Sequence, residues 1–215
     1  MTNQIIIGFL AGGQARRLGG IDKCLIEILN KPILSWQLEK TDQFPIRIIN
    51  ANGDLDRFTN FNLTIVPDFI DGFLGPLSGI LSLMKYSQKY FSSAEWMLSC
   101  ATDAPFIPSN LGEALFKHAN KSKADIVMAT SNGRRHPVFC LWKLNLAEKL
   151  EEALIKNKTR KIELFTAKNY TSYVDFSATP DPFFNINTKQ DVLKARELAV
   201  LSKKANQITR FCNKS

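Results

Sequence analysis

The sequence predicts an α/β fold with three layers and a mainly parallel central sheet. Short apolar runs rich in β-branched residues alternate along the chain with longer segments that carry apolar residues at helical spacing. Loops rich in glycine and proline follow several of the apolar runs. This alternation is typical of βαβ units, which build parallel sheets covered by helices on both faces.

The predicted elements follow one another in regular order. Residues 4–10 form a continuous apolar run, the pattern of a strand that is buried on both faces. Further strands are predicted at residues 24–29, 46–51, 63–66, 96–100, 125–129, 138–141 and 170–174. Helices are predicted from Pro32, from Pro108 or Ser109, and at residues 77–86, 144–155 and 190–201.

Size and composition favour one domain. A chain of 215 residues, of which 45% are hydrophobic and 22% charged, can bury a large core without disulfides. We therefore expect a single domain over residues 1–201, followed by a flexible basic tail at residues 202–215. No apolar run is long enough for a membrane span or a signal-peptide core, so the cytoplasm is the expected location.

Charge and cysteine usage narrow the functional classes. The formal net charge of +8 favours polyanionic partners such as nucleic acid, nucleotides or phosphorylated metabolites, although a basic surface that serves only solubility fits equally well. The four cysteines lie far apart and the two histidines are too few for a Cys/His metal site. We expect Cys24, Cys100 and Cys140 to be reduced thiols of the core.

The bend after the first predicted strand carries the stretch "LAGGQARRLGGIDK" at residues 10–23. Consecutive glycines such as Gly12 and Gly13 can adopt backbone angles that turn successive N–H groups toward one anion. Arg16, Arg17 and Lys23 add three positive charges, and arginine contacts phosphate oxygens at two points. The spacing fits neither a P-loop nor a dinucleotide fingerprint. The stretch predicts a site for a highly anionic ligand, and the alternative is a tight turn with solvated arginines.

Three loops are expected at one edge of the sheet. In open α/β sheets, ligands bind outside the carboxyl ends of the strands, which points to residues 11–23, 67–79 and 101–108. Asp103 follows the strand at residues 96–100 and therefore projects from that edge. Taken alone, this aspartate is equally well a metal ligand or a turn residue.

The first of these loops resembles the L-A-G-G-x-x-x-R-M-G-x-x-K signature of nucleotidyltransferases with the sugar-nucleotide pyrophosphorylase-like fold, with Leu18 in place of methionine. Its form ending in Asp22 and Lys23 is most similar to the molybdenum cofactor guanylyltransferase family, a group of MobA-like nucleotidyltransferases. The motifs that follow in the same order are "INAN" at 49–52, "VPD" at 66–68, "GPLSGI" at 75–80, "ATDAPFIP" at 101–108, "RRHPVF" at 134–139 and "FFNINT" at 183–188.

This resemblance covers the chain to about residue 200. It implies a Rossmann-like nucleotidyltransferase fold, with a nucleotide-binding half at about residues 1–107 and a pterin-binding half at about residues 108–201. Family members transfer GMP from GTP to the phosphate of molybdenum-loaded molybdopterin and release pyrophosphate, forming the guanine dinucleotide form of the cofactor. The acceptor phosphate is the nucleophile, so no serine, cysteine or histidine nucleophile is implied.

The resemblance also implies the site residues. Catalytic roles fall on Arg17, Lys23 and Asp103, and Asp103 would hold Mg²⁺, which takes one or two carboxylates plus phosphate oxygens. The implied nucleotide-binding positions are Leu10, Ala11, Gly12, Gly13, Lys23, Asn50, Asp68 and Asp103. Structural alternatives exist, because Asn50 could close a strand end and Asp68 could make an Asx turn.

The pterin-binding positions implied by the resemblance are Asn185 and Asn187. They lie two apart, so they face the same side of an extended segment, although the same loop could simply cap the helix that begins near Thr188. A predicted hairpin with Arg134, Arg135 and His136 could meet the pterin phosphate, but a histidine before a proline is more often structural. A further basic run is interpreted as a solvated helix end and comprises Lys156, Lys158, Arg160 and Lys161.

Other functions stay open on the residues alone. CTP could replace GTP, and a sugar phosphate could replace the pterin, because the base would be read largely by backbone atoms. A nucleic-acid-binding module fits the charge, but no nucleic-acid motif or aromatic stripe is present. Lys23 and Asp103 argue against a nucleotide-binding adaptor without turnover. We expect a monomer that uses GTP and molybdenum-loaded molybdopterin, with molybdenum-insertion and molybdoenzyme-chaperone proteins as partners and no nucleic acid or membrane.

Overall fold

Strand β1 (Ile5–Leu10) lies inside the sheet, and its first five residues are buried, as the continuous apolar run predicts. The structure is a computed structural model that describes residues 2–12, 22–72 and 75–212, with residues 202–212 as backbone alone. Two of the residues expected in the site, Gly13 and Arg17, lie outside the described residues, as does Arg16.

The other elements follow β1 in an alternating order. The strands are β2 (Glu27–Ile28), β3 (Lys31–Pro32), β4 (Arg47–Asn50), β5 (Thr64–Val66), β6 (Trp96–Ala101), β7 (Ile126–Ser131), β8 (Arg134–Lys143) and β9 (Thr171–Asp175). The helices are α1 (Ile33–Lys40), α2 (Pro76–Tyr90), α3 (Leu111–Ser122), α4 (Ala147–Ile155), α5 (Ile162–Thr166) and α6 (Lys189–Cys212). Short 3₁₀ turns include Lys23–Leu25 and Asp56–Phe61.

Seven of the described strands form one sheet in the order β5-β4-β1-β6-β8-β7-β9. Neighbouring strands are parallel from β5 to β6 and again between β7 and β9. Strand β8 is antiparallel to both of its neighbours. The sheet is therefore mainly parallel, and the carboxyl ends of β1, β4, β5 and β6 lie at one edge.

The sheet is covered on both faces, because alternate residues of β1 enter different cores. Ile5, Ile7 and Phe9 pack with buried residues of α1 and α3. Ile6 packs with buried residues of α2, α4 and α5. This arrangement confirms the predicted three-layer α/β fold and gives the physical reason why β1 is apolar on both faces.

The last helix packs on a separate, smaller core. Ala195 and Ala199 of α6 are buried against Ile28 of β2, Ile33 of α1 and Ile186, which lies just before α6. Residues near the start of the chain and residues near its end therefore share one cluster. This cluster brings the segment that follows the glycine-rich loop close to the "FFNINT" segment.

Several predicted boundaries differ from the structure. The run at residues 24–29 is a 3₁₀ turn followed by β2, which pairs only with β3 in a hairpin outside the main sheet. Helix α6 continues to Cys212, beyond the predicted end at residue 201, and the flexibility of the tail stays a prediction. Helix α5 was not predicted, because five residues are too short to show helical periodicity.

The burial of the cysteines agrees with expectation. Cys24, Cys100 and Cys140 are free and buried. Burial raises the pKa of the Cys24 thiol to about 12, so it stays protonated. Within the described ranges, none of the helices combines the length and apolar composition that crossing a membrane requires.

Candidate active site

Three side chains from distant parts of the chain meet at the carboxyl edge of the sheet. Asp103 lies in the loop after β6, Lys23 begins the first 3₁₀ turn after the glycine-rich loop, and Asn187 lies just before α6. The Lys23 Nζ atom lies 3.4 Å from Asp103 Oδ2 and 2.5 Å from Asn187 Oδ1. The two partners of Lys23 are 80 and 164 positions away in the sequence, so only tertiary structure brings them together.

Asp103 combines burial with an unused acceptor atom. Its side chain is 20% exposed, and its Oδ1 atom is buried without a hydrogen-bond partner among the residues described. Burial raises the pKa of Asp103 above its ordinary value, while the Lys23 ammonium group acts in the opposite direction. An unpartnered carboxylate oxygen is the kind of ligand that a hard cation such as Mg²⁺ prefers.

The surroundings of Asp103 also limit what kind of metal site it could form. In the parts of the chain that the structure covers, no three His, Cys, Asp or Glu side chains come together as a metal cluster. A cation at Asp103 would therefore need further ligands of another kind, such as oxygens of a bound phosphate or of water. Mg²⁺ is usually bound in that way, with one or two carboxylates and several substrate or water oxygens.

The predicted nucleotide side is built from the ends of β1, β4 and β5. The Ala11 backbone N–H donates to Asn50 O at 2.9 Å, which continues the pairing of β1 with β4. Asn50 Nδ2 donates to Val66 O at 3.0 Å and to Asp68 Oδ1 at 2.9 Å. The structure therefore joins the predicted residues Asn50 and Asp68 directly. Because both amide hydrogens of Asn50 are engaged, this residue can offer a ligand only its Oδ1 atom.

Two glycines allow close approach at this point. A Cβ atom at Gly79 would overlap Asn50 Oδ1 and lie 2.8 Å from Leu10 Cδ2, so a side chain there would push α2 away from the ends of β1 and β4. A Cβ atom at Gly12 would lie 3.3 Å from Asn50 Oδ1. The absence of side chains at these two positions lets the backbone of Gly12 and Gly79 pack closely against Asn50.

An ion pair that the motif analysis did not single out anchors the start of the 3₁₀ turn that bears Lys23. Arg57 Nε bonds to the Asp22 carboxylate, and Arg57 Nη2 donates to Asn52 O at 2.9 Å. Asn52 Oδ1 in turn accepts from the Asp68 backbone N–H at 2.9 Å. This chain of contacts connects the residue before Lys23 to the loop after β5. The position of Asp22 next to Lys23 in the sequence could have indicated that Asp22 belongs to the site. Arg57 lies in no recognised motif, so the sequence offered no such indication for it.

A cleft of about 390 Å³ is lined in part by Asn187, the residue that contacts Lys23. Its walls come from the first half of β8 and from the segment before α6. The lining residues that matter for binding are Arg134, Arg135, His136, Asp181, Asn185 and Asn187. Asn185 is exposed and Asn187 half-buried, and both line this cleft, as their spacing predicts. The predicted hairpin is present as the antiparallel pair of β7 and β8, and its basic residues lie at the start of β8, which begins at Arg134.

His136 is held in this cleft by a polar chain and by aromatic packing. Its Nε2 atom lies 3.3 Å from Ser131 Oγ, which donates to Asp181 Oδ1 at 2.6 Å. The imidazole ring packs on Phe183 with ring centroids 4.5 Å apart. Burial lowers the pKa of His136, the Asp181 carboxylate opposes this, and Arg134 adds to it. The imidazole is therefore neutral near pH 7. Ser131 and Asp181, which hold it, were not indicated by any pattern in the sequence.

Two residues of the basic run after α4 make contacts with α4 itself. Lys156 pairs with Glu152 of α4 at 3.0 Å. Arg160 Nη1 donates to Leu154 O at 2.8 Å, which satisfies a carbonyl near the end of α4. These contacts agree with the interpretation of this run as a helix end.

The fold and the residues at this sheet edge define an α/β nucleotidyltransferase. The family model described as the MobA-like NTP transferase domain matches residues 7–168. The chain belongs to this family, and it is a nucleotidyltransferase.

Several relatives carry the name molybdenum cofactor guanylyltransferase. The one from Rhodopseudomonas palustris (strain BisB5) is 42% identical over 193 residues, which cover 89% of this chain and 92% of the relative. The one from Nitrobacter hamburgensis is 41% identical over 194 residues, covering 89% of this chain and 93% of the relative. A crystal structure of molybdopterin-guanine dinucleotide biosynthesis protein A from Archaeoglobus fulgidus has a TM-score of 0.73 and 24% identity, covering 90% of this chain and 98% of that one.

Proposed function

We propose that this chain transfers GMP from GTP to the phosphate of molybdenum-loaded molybdopterin and releases pyrophosphate, forming the guanine dinucleotide form of the molybdenum cofactor. The observation that carries the proposal is the contact of Lys23 with both Asp103 and Asn187, between the predicted nucleotide residues and the cleft. The names of the relatives, molybdenum cofactor guanylyltransferase, support both substrates.

The reaction needs no nucleophile from the protein. An oxygen of the acceptor phosphate forms a bond to the α-phosphorus of GTP, and the bond from that phosphorus to the oxygen bridging to the β-phosphate breaks. The bonding electrons leave with pyrophosphate, so no oxidant or reductant is involved. The chain has to hold two anions in line and offset their charge.

Lys23 is the residue proposed to offset charge on the phosphates. Its side chain is 29% exposed and carries a flexible ammonium group that can move from Asp103 toward a phosphate oxygen. There it would stabilise the negative charge that develops on departing pyrophosphate. Arg17 is proposed to share this role on the strength of the family signature.

Asp103 is the residue proposed to hold a metal ion. Dependence on a divalent metal is general among MobA-like nucleotidyltransferases, and Mg²⁺ is the ion we propose. The buried, unpartnered Oδ1 atom of Asp103 fits such an ion, as judged over the described residues. When bound, the ion would neutralise charge on the triphosphate and polarise its phosphorus–oxygen bonds. Asp103 has to be ionised for this role; burial raises the pKa of its carboxyl group, and the Lys23 ammonium group opposes that rise.

The guanosine is proposed to lie against the ends of β1 and β4. Backbone groups of Leu10, Ala11, Gly12 and Gly13 would contact the base and ribose, because backbone can approach a ligand closely where glycine removes the side chain. Asn50 and Asp68 support this wall through their mutual hydrogen bond. Asp68 retains acceptor capacity for hydroxyl or N–H groups of the nucleoside.

The acceptor is proposed to bind in the cleft beyond Lys23. A volume of about 390 Å³ falls within the range of small-molecule sites. Asn185 and Asn187 supply amide groups for a polar heterocycle, and the Arg134 guanidinium suits a phosphate. Asn187 contacts Lys23, so an acceptor at Asn187 would lie next to the group proposed to bind the triphosphate.

The domain organisation, oligomeric state, location and protein partners are proposed from the resemblance to the same family. We infer one domain over residues 1–201, with a nucleotide-binding half at about residues 1–107 and a pterin-binding half at about residues 108–201. The enzyme would act as a monomer in the cytoplasm, where buried reduced thiols are stable. It would receive molybdenum-loaded molybdopterin from molybdenum-insertion proteins and pass its product to molybdoenzyme chaperones.

The proposal is tested by supplying Mg²⁺ and GTP, CTP, ATP or UTP in turn, each with and without molybdenum-loaded molybdopterin, and measuring pyrophosphate. We expect release only with GTP together with the pterin. Mass spectrometry should then detect the guanine dinucleotide form of the cofactor.

Parallel reactions separate the alternatives. Release with CTP, or with a sugar phosphate in place of the pterin, would overturn the substrate assignment while retaining the reaction class. Absence of pyrophosphate in every combination, from protein that is folded by circular dichroism, would overturn the proposed function.

A further inference from the structure

A glutamine buried in α1 holds the turn that carries Asp103. Gln37 is 0% exposed, and its Nε2 atom donates to Ala101 O and to Ala104 O, both at 2.7 Å. These carbonyl groups lie on the two sides of Asp103 in the chain. One amide group therefore bridges the turn, because it carries two hydrogens.

The chemistry of Gln37 leaves only one orientation of its amide. Both neighbours are carbonyl oxygens, so the NH₂ group has to face them. The Oε1 atom is then buried and has no hydrogen-bond partner in the part of the chain that is described. An apolar side chain at this position would avoid such an unsatisfied oxygen. The glutamine is therefore poorly explained by packing and well explained by the two bonds it donates.

Other elements hold the same turn, but each makes a single bond. Thr102 Oγ1 donates to Leu10 O at 2.9 Å, which links the turn to the end of β1. The Ile186 backbone N–H donates to Asp103 O at 2.8 Å, which links it to the segment before α6. Every residue from 101 to 104 is thus tied to another element, and Gln37 supplies the ties at both ends.

We propose that Gln37 is a positioning residue for Asp103 and sets the direction in which its carboxylate points. It acts through the backbone of residues 101–104 and does not touch a substrate. The inference rests on the proposed function, in which the Asp103 carboxylate holds a divalent ion. Groups that orient a metal ligand typically change metal affinity by about 10- to 100-fold when they are removed.

The decisive variant is Gln37→Met, which keeps the length and approximate volume of the side chain but cannot donate hydrogen bonds. Binding of Mn²⁺ is measured from the loss of its free electron paramagnetic resonance signal, with a GTP analogue that cannot be cleaved between the α- and β-phosphates. We expect about tenfold weaker Mn²⁺ binding and a kcat at least about tenfold lower. KM for GTP should change less than about threefold, because the nucleoside contacts lie on other loops.

Gln43→Met is the matched control. Gln43 also donates from Nε2 to a loop carbonyl, Ser109 O, at 2.7 Å, but this bond is exposed and does not involve the turn at Asp103. Mn²⁺ binding and kcat of this variant should equal those of the wild type. A variant of Gln37 that binds Mn²⁺ and turns over like the wild type, and differs only in its unfolding midpoint, would overturn the inference.

A second variant covers the case in which Gln37→Met does not fold. Gln37→Glu can donate one hydrogen bond when protonated and none when ionised, and the ionised form places its charge beside two carbonyl oxygens. Its Mn²⁺ affinity relative to the wild type should therefore fall as pH rises from about 5.5 to 8.5. A ratio that stays near one at every pH overturns the inference. Failure of the wild type itself to bind Mn²⁺ with the GTP analogue or to transfer GMP would overturn the proposed function and this inference together.

Discussion

The Nζ atom of Lys23 lies 3.4 Å from Oδ2 of Asp103, so an ammonium group is the direct neighbour of the carboxylate proposed to hold a metal ion. The same nitrogen is bonded to Asn187 Oδ1. Two kinds of cation, an ammonium group and a divalent ion, would therefore compete for one set of oxygens. Removing Lys23 should strengthen metal binding and weaken catalysis, whereas removing Asp103 should weaken both.

Substitution Lys23→Met should raise the affinity of the nucleotide-free protein for Mn²⁺ by about fivefold, because one competing positive charge is removed at this distance. GMP transfer should nevertheless fall by roughly 100-fold or more, since the charge that stabilises pyrophosphate is lost. Electron paramagnetic resonance measures the first effect and pyrophosphate release the second. Lys156→Met, at an exposed ion pair of α4, is the control and should change neither. Weaker Mn²⁺ binding by Lys23→Met would contradict the expected competition between the Lys23 ammonium group and the metal ion.

Substitution Asp103→Asn should lower turnover by roughly 100-fold or more while raising the unfolding midpoint near pH 7. Burial raises the pKa of this carboxyl, so the folded state binds the proton more strongly than the unfolded chain does. The ionised form therefore destabilises the fold, and this loss grows as pH rises through the folded-state pKa. The difference in midpoint between variant and wild type should accordingly shrink toward acid pH in thermal unfolding scans.

The control for this experiment is Asp125→Asn. Asp125 is partly exposed and pairs with Lys143 at 3.6 Å, away from the candidate site. Turnover and unfolding midpoint of this variant should stay near the wild-type values. Near-normal turnover by Asp103→Asn would show that the Asp103 carboxylate is not required for catalysis.

Substitution Gly79→Ala should raise KM for GTP and destabilise the fold by about 1–3 kcal/mol, the usual cost of overpacking. The added Cβ would overlap Asn50 Oδ1 and crowd Leu10, both predicted nucleotide residues. Steady-state kinetics and denaturant unfolding measure the two effects.

A matched overpacking variant separates binding from stability. In Gly112→Ala the added Cβ would crowd the ring of Phe44 on the α1/α3 side of the sheet, away from Asn50. We expect a similar loss of stability and an unchanged KM for GTP. Equal KM effects in the two variants would show that Gly79 acts only through stability.

The titration of His136 should respond to Asp181. Burial lowers the pKa of His136 from its ordinary value of 6.5, and the Asp181 carboxylate limits the decrease. Asp181→Asn should therefore lower the pKa of His136 further, which proton NMR of the imidazole measures directly. Asp175→Asn is the control, because the described partners of Asp175 are Ser177 and Thr130. A higher His136 pKa in Asp181→Asn would refute the described contact chain.

The hydrophobic pattern of the sequence predicted most strands of the sheet. It failed for elements that are very short or that are stabilised by residues distant in the sequence. Strands such as β1 and β6 were predicted because burial on both faces makes them continuously apolar. Helix α5 has only five residues, and its position depends on the packing of Phe165 near Trp142. The prediction of one strand at residues 24–29 is wrong, and β3 is not predicted at all, because two-residue strands carry no readable period.

Some residues of the candidate site were likewise predictable from the sequence and others were not. Lys23 and Asp103 were predicted from residue types at strand ends and from their resemblance to family motifs. Neither pattern indicated that Gln37 would bridge the turn at Asp103, or that Ser131 would link His136 to Asp181. Such contacts depend on which helix or strand comes to lie beside the loop.

Sequence alone determined the fold class, because strand and helix periods arise from residues a few positions apart, and its motifs indicated the kind of reaction through their resemblance to a known family. Tertiary structure alone decided that Lys23 meets both Asp103 and Asn187, and that one Asp103 oxygen is buried without a partner in the described chain. The physical reason is that burial, proton affinity and ion pairing depend on neighbours in space, and here those neighbours are 80 and 164 positions away.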